Sequence, residues 1–310
     1  MRKVLITDDV SELLLNGLPE LDYEFDFLPD ITFEEVKALI HNYDGLIINS
    51  KIQCSDELLS KAKRLRWIGR LGSGMEVINT VLCDNLNIKY FNTPTGNCQA
   101  VAEHSLGMLL SMMRNINTSN NEVKNGLWIR EANRGEELSG KTVAILGYGN
   151  TGEAFARLLT GFEVKVLAYD KYRKGYSNHY VSESSYEEIF GKADVLSLHL
   201  PLTKETSYSI NADFLYRFKK PIYLINTSRG SVLKTSDLIT LIKNGKIKGA
   251  ALDVLENEKF STLSEAEKSV LDAIQKEKKI ILTSHIAGWT HESKRKIALK
   301  MLENIRSFDF

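Results

Sequence analysis

The chain has 310 residues, with 40 Lys and Arg balanced by 40 Asp and Glu, so its formal net charge is zero. That balance excludes a dedicated nucleic-acid binder and a polybasic membrane-surface protein, since both need a strong excess of cations. Three widely spaced cysteines without a CxxC pair exclude a disulfide scaffold and a zinc site, and fit reduced thiols. At roughly 100–200 residues per domain the length suits two domains. The N-terminal stretch carries Arg2, Lys3, Asp8, Asp9 and Glu12 where a secretory leader has an apolar block. No uncharged apolar run approaches the ~20 residues of a membrane helix. A cytoplasmic protein without a membrane partner is the expectation.

Strands are predicted at 4–7, 23–28, 45–50, 67–71 and 88–91, alternating with helices near 11–18, 32–41, 55–61 and 75–84. Apolar strands separated by helices read as βαβ units around a parallel sheet buried on both faces. After the punctuating stretch 92–97 a helix is predicted from Gln99 to about Ile116, with apolar positions Val101, Leu106, Leu109, Leu110 and Met113. Residues 117–140 are polar and poorly periodic, with Trp128 and Ile129 as isolated apolar anchors. A second series follows, with strands at 143–146, 164–169, 195–200, 223–226, 249–254 and 280–283, and a closing helix from 291 to about 306. Two α/β sheets in one chain predict a ligand cleft between them.

The stretch Gly147-Tyr148-Gly149-Asn150-Thr151-Gly152 joins a strand to a helix as Gly-x-Gly-x-x-Gly. In that context Gly147 allows the tight turn, Gly149 lets backbone approach a pyrophosphate, and Gly152 lets helix and strand pack closely. The amides of Asn150 and Thr151 lie at the helix N-terminus, where the macrodipole favours an anion. The next strand ends in Asp170, 18 residues beyond Gly152, near the ~20 expected of a carboxylate that bonds a ribose 2′-hydroxyl. Asp170 would repel a 2′-phosphate, so NAD is expected over NADP, with Lys171 and Arg173 weakening the preference.

Of the six histidines, His41 and His179 read as exposed, and His104 and His291 as structural residues of helices. His199 ends a strand and borders the expected cofactor region. His285 stands apart: it follows the strand at 280–283, and strand C-termini in a parallel sheet face the ligand crevice. Arg229 and the segment from Asp253 to Glu258 emerge at two other strand ends. A guanidinium suits a planar carboxylate by bidentate bonding. A Glu bonded to His fixes the tautomer and raises imidazole basicity.

In order and context these motifs resemble the D-isomer-specific 2-hydroxyacid dehydrogenases. They are Arg70-Leu-Gly72-Ser-Gly74-Met-Glu76, Asn92-Thr-Pro94, Ala102-Glu103, the glycine turn, Asn226-Thr-Ser-Arg229-Gly230, Leu252–Glu258 and His285-Ile-Ala-Gly288. The resemblance covers essentially the whole chain, and within the family it is strongest to the D-3-phosphoglycerate dehydrogenases. It implies two doubly wound parallel-sheet domains: a flavodoxin-like substrate domain, residues 1–94 and 288–310, with a Rossmann NAD-binding domain, 95–287, inserted in it. It also implies hinges at 92–97 and 286–289, and a dimerisation arm at about 117–140. Arg229 would hold the substrate carboxylate, His285 would be the acid/base and Glu258 its partner. Asp253 would contact the nicotinamide carboxamide. Thr227, Ser228, Ala287 and Gly288 would line the cofactor, with Leu200 and Pro201 on its adenosine side. Ser73 and Gly74 would lie between substrate and nicotinamide. No metal is implied.

The substrate the resemblance implies is 3-phosphoglycerate or 3-phosphohydroxypyruvate, in serine biosynthesis. Yet Asn49-Ser50-Lys51 stands where phosphoglycerate-specific members place an arginine followed by serine. Asn49 holds the arginine's position and Lys51 is the candidate substitute, although strand alternation would turn it to the other face. Lys259 and Ser284 replace two prolines beside the catalytic positions. A chain ending at Phe310 has no room for a C-terminal regulatory domain, so serine feedback through one is not expected. Glyoxylate/hydroxypyruvate reductase and D-lactate dehydrogenase activities remain open, since they share every catalytic residue. Of a different class are an NADH-sensing corepressor-like binding protein and an S-adenosylmethionine methyltransferase; the latter would not need Arg229, Glu258 and His285.

Overall fold

Residues 2–308 are described by a computed structural model in which parallel strands alternate with helices throughout. The strands are β1 (Arg2–Ile6), β2 (Tyr23–Phe27), β3 (Gly45–Ile48), β4 (Trp67–Arg70), β5 (Lys89–Asn92) and β6 (Thr142–Leu146). They continue with β7 (Lys165–Tyr169), β8 (Ser182–Glu183), β9 (Val195–Leu198), β10 (Ile222–Asn226), β11 (Ile247–Leu252) and β12 (Ile280–Leu282). The chain packs as two units, Met1–Cys98 with Trp289–Phe310, and Gln99–Gly288.

The first unit holds a five-stranded sheet in the order β2-β1-β3-β4-β5, every pairing parallel. β3 is buried along its whole length, as expected of a strand covered on both faces. The order reverses between β1 and β3, and there the residues just past the strands touch: the Asn49 amide donates to Asp8 Oδ2 at 2.9 Å. The helix Phe33–Leu39 starts in a reciprocal capping box between Thr32 and Glu35. The closing helix His291–Ser307 returns to this unit, with Leu302 against Gly17 and Met301 against Gly69, positions where any side chain would collide.

The second unit holds a seven-stranded sheet in the order β12-β11-β10-β9-β6-β7-β8, again all parallel. Numbered from β6 this is the doubly wound 3-2-1-4-5-6 order with one strand added, and its switch point lies between β6 and β9. Its core is built from wholly buried Leu, Ile and Ala of β6, β9, β10 and β11.

Four local expectations are corrected. The helix placed near 75–84 is only Thr80–Asn85; Asn79 caps it by accepting from the Leu82 amide, so the glycine-bearing stretch before it stays a loop. Residues 116–124 form a helix that the patterning did not reveal, because none of its residues is buried and no apolar period is needed. Trp128 is 80% exposed and Ile129 40%, so neither anchors this chain to itself. In the helix Cys98–Met113 the buried residues are Val101, Ala102, Ser105, Met108, Leu109, Met112 and Met113, while Leu106 and Leu110 are only half-buried, so a serine lies inside the buried apolar stripe. Among the described residues no helix is long and apolar enough to cross a membrane.

Candidate active site

β6 leads into Gly147, whose φ of +89° and close approach to the His199 carbonyl, 2.4 Å from where a Cβ would stand, admit only glycine. Gly149 caps the helix Asn150–Leu158, and nothing lies within 4 Å of its would-be Cβ, so the Asn150 and Thr151 amides can be approached. At Gly152 a Cβ would stand 2.1 Å from the Gly147 carbonyl, so helix and turn touch. Asp170, just past β7, accepts from the Tyr148 amide through Oδ2 at 2.8 Å, and from the Tyr172 and Arg173 amides through Oδ1 at 2.9 Å each. Burial opposes its charge, but these three amides prevail and hold the carboxyl below its usual range. Leu200 lies beside Gly147, and Pro201 is exposed with its carbonyl accepting from Thr206 Oγ1. An open glycine turn at a helix N-terminus with an ionised carboxylate beside it fits a dinucleotide.

The polar groups past β10, β11 and β12 converge. His285 Nδ1 lies 3.0 and 2.9 Å from the two oxygens of Glu258. That bond raises the imidazole pKa against the opposing effect of burial. Burial pushes Glu258 upward, but the His285 bond prevails and its carboxyl sits below the ordinary value. Arg229 is near enough for its charge to act on both. Its Nη1 donates to the Ser228 carbonyl at 2.7 Å. Gly230 permits this convergence: a Cβ there would stand 1.9 Å from the Leu255 carbonyl, so the loop of Arg229 lies directly on the loop leading to Glu258. His199, by contrast, bonds Ser197 Oγ at 2.8 Å, and burial pushes its pKa down to about 4, so it stays neutral.

Asp253 is almost wholly buried and held inside the protein. Its Oδ1 accepts from Thr283 Oγ1 at 2.6 Å and the Ile286 amide at 2.9 Å, while Oδ2 accepts from the Ala287 amide at 2.9 Å. Any carboxamide would share a carboxylate that already fastens the His285 loop. Ser228 turns back onto Asn226 Oδ1, Thr227 bonds Ser105, Ala287 is buried and Gly288 half-buried. Ser105 and Thr283 escaped the sequence reading, which took His104 only as a structural residue of its helix. Its one available signal was the serine inside an apolar helix stripe.

The remaining predicted residues belong to the first unit. Ser73 Oγ donates to Asn97 Oδ1 at 3.2 Å, and Gly74 beside it is half-buried. Because β3 ends at Ile48, strand alternation does not govern Lys51. It lies exposed, its Nζ donating to the Pro29 carbonyl at 2.5 Å. Among the described residues no group of three or more His, Cys, Asp or Glu side chains could hold a metal ion.

Residues 106–287 match the family model described as D-isomer specific 2-hydroxyacid dehydrogenase, NAD binding domain. The chain is 30% identical over 311 residues to D-3-phosphoglycerate dehydrogenase of Bacillus subtilis, an alignment covering 99% of this chain and 57% of that one. It is 31% identical over 320 residues to glyoxylate reductase of Pyrococcus furiosus, covering 99% and 92%. The crystal structure of D-lactate dehydrogenase from Aquifex aeolicus, complexed with NAD and lactic acid, superposes with a TM-score of 0.84 at 25% identity, covering 99% of this chain and 95% of that one. The chain thus spans little more than half the length of the phosphoglycerate dehydrogenases of Bacillus subtilis and Synechocystis, 57% and 54%.

Proposed function

Because the chain belongs to the D-isomer-specific 2-hydroxyacid dehydrogenase family, we propose that it moves a hydride between a nicotinamide dinucleotide and C2 of a small D-2-hydroxy acid or its 2-oxo counterpart. The observation that carries this reading is the His285–Glu258 pair, with Nδ1 held at 2.9 Å from a carboxylate on which the charge of Arg229 also acts.

With Nδ1 committed to Glu258, Nε2 of His285 is the atom that exchanges a proton with the C2 oxygen. In the oxidative direction the neutral imidazole accepts the hydroxyl proton. In the reductive direction the imidazolium donates it, and Glu258 stabilises that charge. Arg229 binds the substrate carboxylate through its planar fork and polarises the C2 oxygen. The dinucleotide, when bound, supplies or accepts the hydride. The Asn150 and Thr151 amides would hold its pyrophosphate. Asp170 would lie beside its ribose, and a carboxylate there would repel a 2′-phosphate, which supports NAD over NADP.

For the substrate, the similarity to the Bacillus subtilis enzyme supports 3-phosphoglycerate and its 2-oxo partner. A second reading, an unphosphorylated acid such as glyoxylate or hydroxypyruvate, is favoured by Asn49 and by Lys51, whose Nζ already bonds Pro29. Steady-state oxidation of 3-phosphoglycerate against D-glycerate, repeated with Lys51→Ala, separates them. Equal kcat/KM for the two acids removes the phosphate reading and leaves the dehydrogenase. NADH binding without turnover of any 2-oxo acid would instead make the chain a binding protein.

The reading includes a homodimer joined through residues 117–140, supported by Trp128, Leu127 and Ile129, which are exposed in the single chain. Sedimentation should show a dimer that Trp128→Ala weakens; a monomeric wild type would overturn this.

A further inference from the structure

We propose that His104 and Ser105, neighbours in the helix Cys98–Met113, are positioning residues that brace the Arg229 loop and the His285 loop against one another. The inference deepens the proposed function and rests on Arg229 and His285 being active-site groups.

Counting protons fixes the direction of each bond. Ser105 is wholly buried, and its single proton goes to the Val101 carbonyl at 2.8 Å, one turn back in its own helix. The contact between Ser105 Oγ and Thr227 Oγ1, 2.9 Å, must therefore have Thr227 as donor. Thr227 stands two residues before Arg229, and the intervening Ser228 is fastened through both its amide and its hydroxyl to Asn226 Oδ1. Ser105 thus pins the stem from which the guanidinium projects.

His104 acts on the other loop. Thr283 Oγ1 stands 2.6 Å from the Asp253 carboxylate and 3.7 Å from Met108 Sδ, and the short bond to the charged acceptor takes its proton. The contact between His104 Nε2 and Thr283 Oγ1, 3.1 Å, then has the imidazole as donor, so His104 carries its proton on Nε2. A directed chain results, His104 Nε2–H to Thr283 Oγ1–H to Asp253 Oδ1, with Nε2 also 3.6 Å from that oxygen. Asp253 in turn fastens three successive amides: His285 through its main-chain carbonyl at 2.8 Å, Ile286 through Oδ1 and Ala287 through Oδ2. These bonds hold His285 at φ +56°, a left-handed conformation that a non-glycine residue keeps only when its surroundings over-determine it.

Two adjacent residues of one helix therefore reach two different strand-end loops. The rigid helix sets the spacing between guanidinium and imidazole. Directional bonds give what apolar packing of that helix cannot, a single register for each loop.

The test compares His104→Leu with His104→Gln, whose side-chain amide can still donate, and Thr283→Val with Thr283→Ser, which keeps the hydroxyl. Amide hydrogen exchange at Ile286 and Ala287 needs no substrate. It should quicken about tenfold in His104→Leu and Thr283→Val and stay near wild type in His104→Gln and Thr283→Ser. Where the wild type reduces a 2-oxo acid, kcat should fall between tenfold and a hundredfold in the first two variants and recover in the conservative ones. Ser105→Ala should instead raise KM for the acid and leave exchange at Ile286 and Ala287 unchanged. Unchanged exchange in both His104→Leu and Thr283→Val, or a His104→Gln no better than the leucine, would overturn the brace. A wild type that turns over no 2-oxo acid with NADH or NADPH would overturn the proposed function, and the exchange result would still judge the brace.

Discussion

The Nδ1 of His285 meets the Glu258 carboxylate almost symmetrically, 3.0 Å from Oε1 and 2.9 Å from Oε2. The arrangement fixes which nitrogen carries the permanent proton and which remains for chemistry. It also couples two titrations in opposite senses, lowering the carboxyl and raising the imidazole. The stability that Glu258 contributes is present above its ordinary value of 4.5 and lost as pH falls through its depressed pKa. The contribution of His285 is present below 6.5 and lost as pH rises through its elevated pKa. Between those two ordinary values the pair contributes in full.

Glu258→Gln removes the charge that raises His285. The imidazole pKa should then fall, moving the alkaline limb of the reductive pH–rate profile to lower pH, because reduction needs the imidazolium. The acidic limb of the oxidative profile should move the same way, because oxidation needs the neutral ring. The maximal rate of reduction should drop by about 10–10²-fold as the imidazolium loses its stabilising partner. Rate profiles recorded for both directions check this, and limbs that stay in place would separate Glu258 from the titration.

His285→Gln should lower kcat by about 10²–10⁴-fold, the usual range for a general acid–base group. Arg229→Lys keeps the charge but loses the planar fork, so the acid's KM should rise more than kcat falls. Neither side chain is part of the glycine turn, so NADH affinity read from cofactor fluorescence should remain within about threefold of wild type, below the ~1.4 kcal/mol that a tenfold change represents. A loss of NADH binding equal to the loss of rate would reassign both residues to the cofactor.

The alternating sheet order was legible because strands buried on both faces leave an unambiguous signal, as the four buried residues of β3 do. The glycine turn was legible for a steric reason, since Gly147 and Gly152 stand where a Cβ would meet carbonyl oxygens at 2.4 and 2.1 Å. Arg229, Glu258 and His285 stood out because each follows a strand. The helix Ile116–Lys124 was not legible, because it buries nothing and so carries no period. Ser105 and Thr283, and the partner of the structural His104, were silent for another reason. Their hydrogen bonds span 122 and 179 positions, and a hydroxyl or imidazole takes its meaning from a partner that local patterning cannot identify.

Within the glycine turn two substitutions of equal size should part company. Gly152→Ala places a methyl 2.1 Å from the Gly147 carbonyl and forces helix and turn apart, an overpacking worth about 1–3 kcal/mol of stability. Gly149→Ala points into open space at an ordinary φ of −85°, so the fold should keep its thermal midpoint. The same methyl lies where a pyrophosphate approaches, and dinucleotide affinity should fall by at least about tenfold. Melting curves and NADH titrations of the two variants supply the comparison. A Gly149→Ala protein with unaltered NADH affinity would place the pyrophosphate elsewhere.

Glu136 fastens the segment after the Ile116–Lys124 helix to the second sheet. Its Oε1 takes Lys248 Nζ at 2.7 Å and the Tyr223 hydroxyl at 3.2 Å, and its Oε2 lies 2.9 Å from Lys141 Nζ. Burial raises the carboxyl, but the two lysines prevail and bring it down to about 2. A depressed carboxyl contributes stability that is present above its unfolded value of 4.5 and is lost as pH falls toward 2. The side chain is 37% exposed, so water screens the pairs and the contribution should be on the order of 1 kcal/mol. Glu136→Gln should therefore melt below wild type at pH 6, and the gap should narrow steadily as the pH is taken from 4.5 toward 3. Added salt should shrink the gap at pH 6 as well, because part of the attraction passes through solvent. A gap that is the same at every pH would mean that Glu136 acts through shape and neutral hydrogen bonding, and that its charge does not hold the segment to β10 and β11.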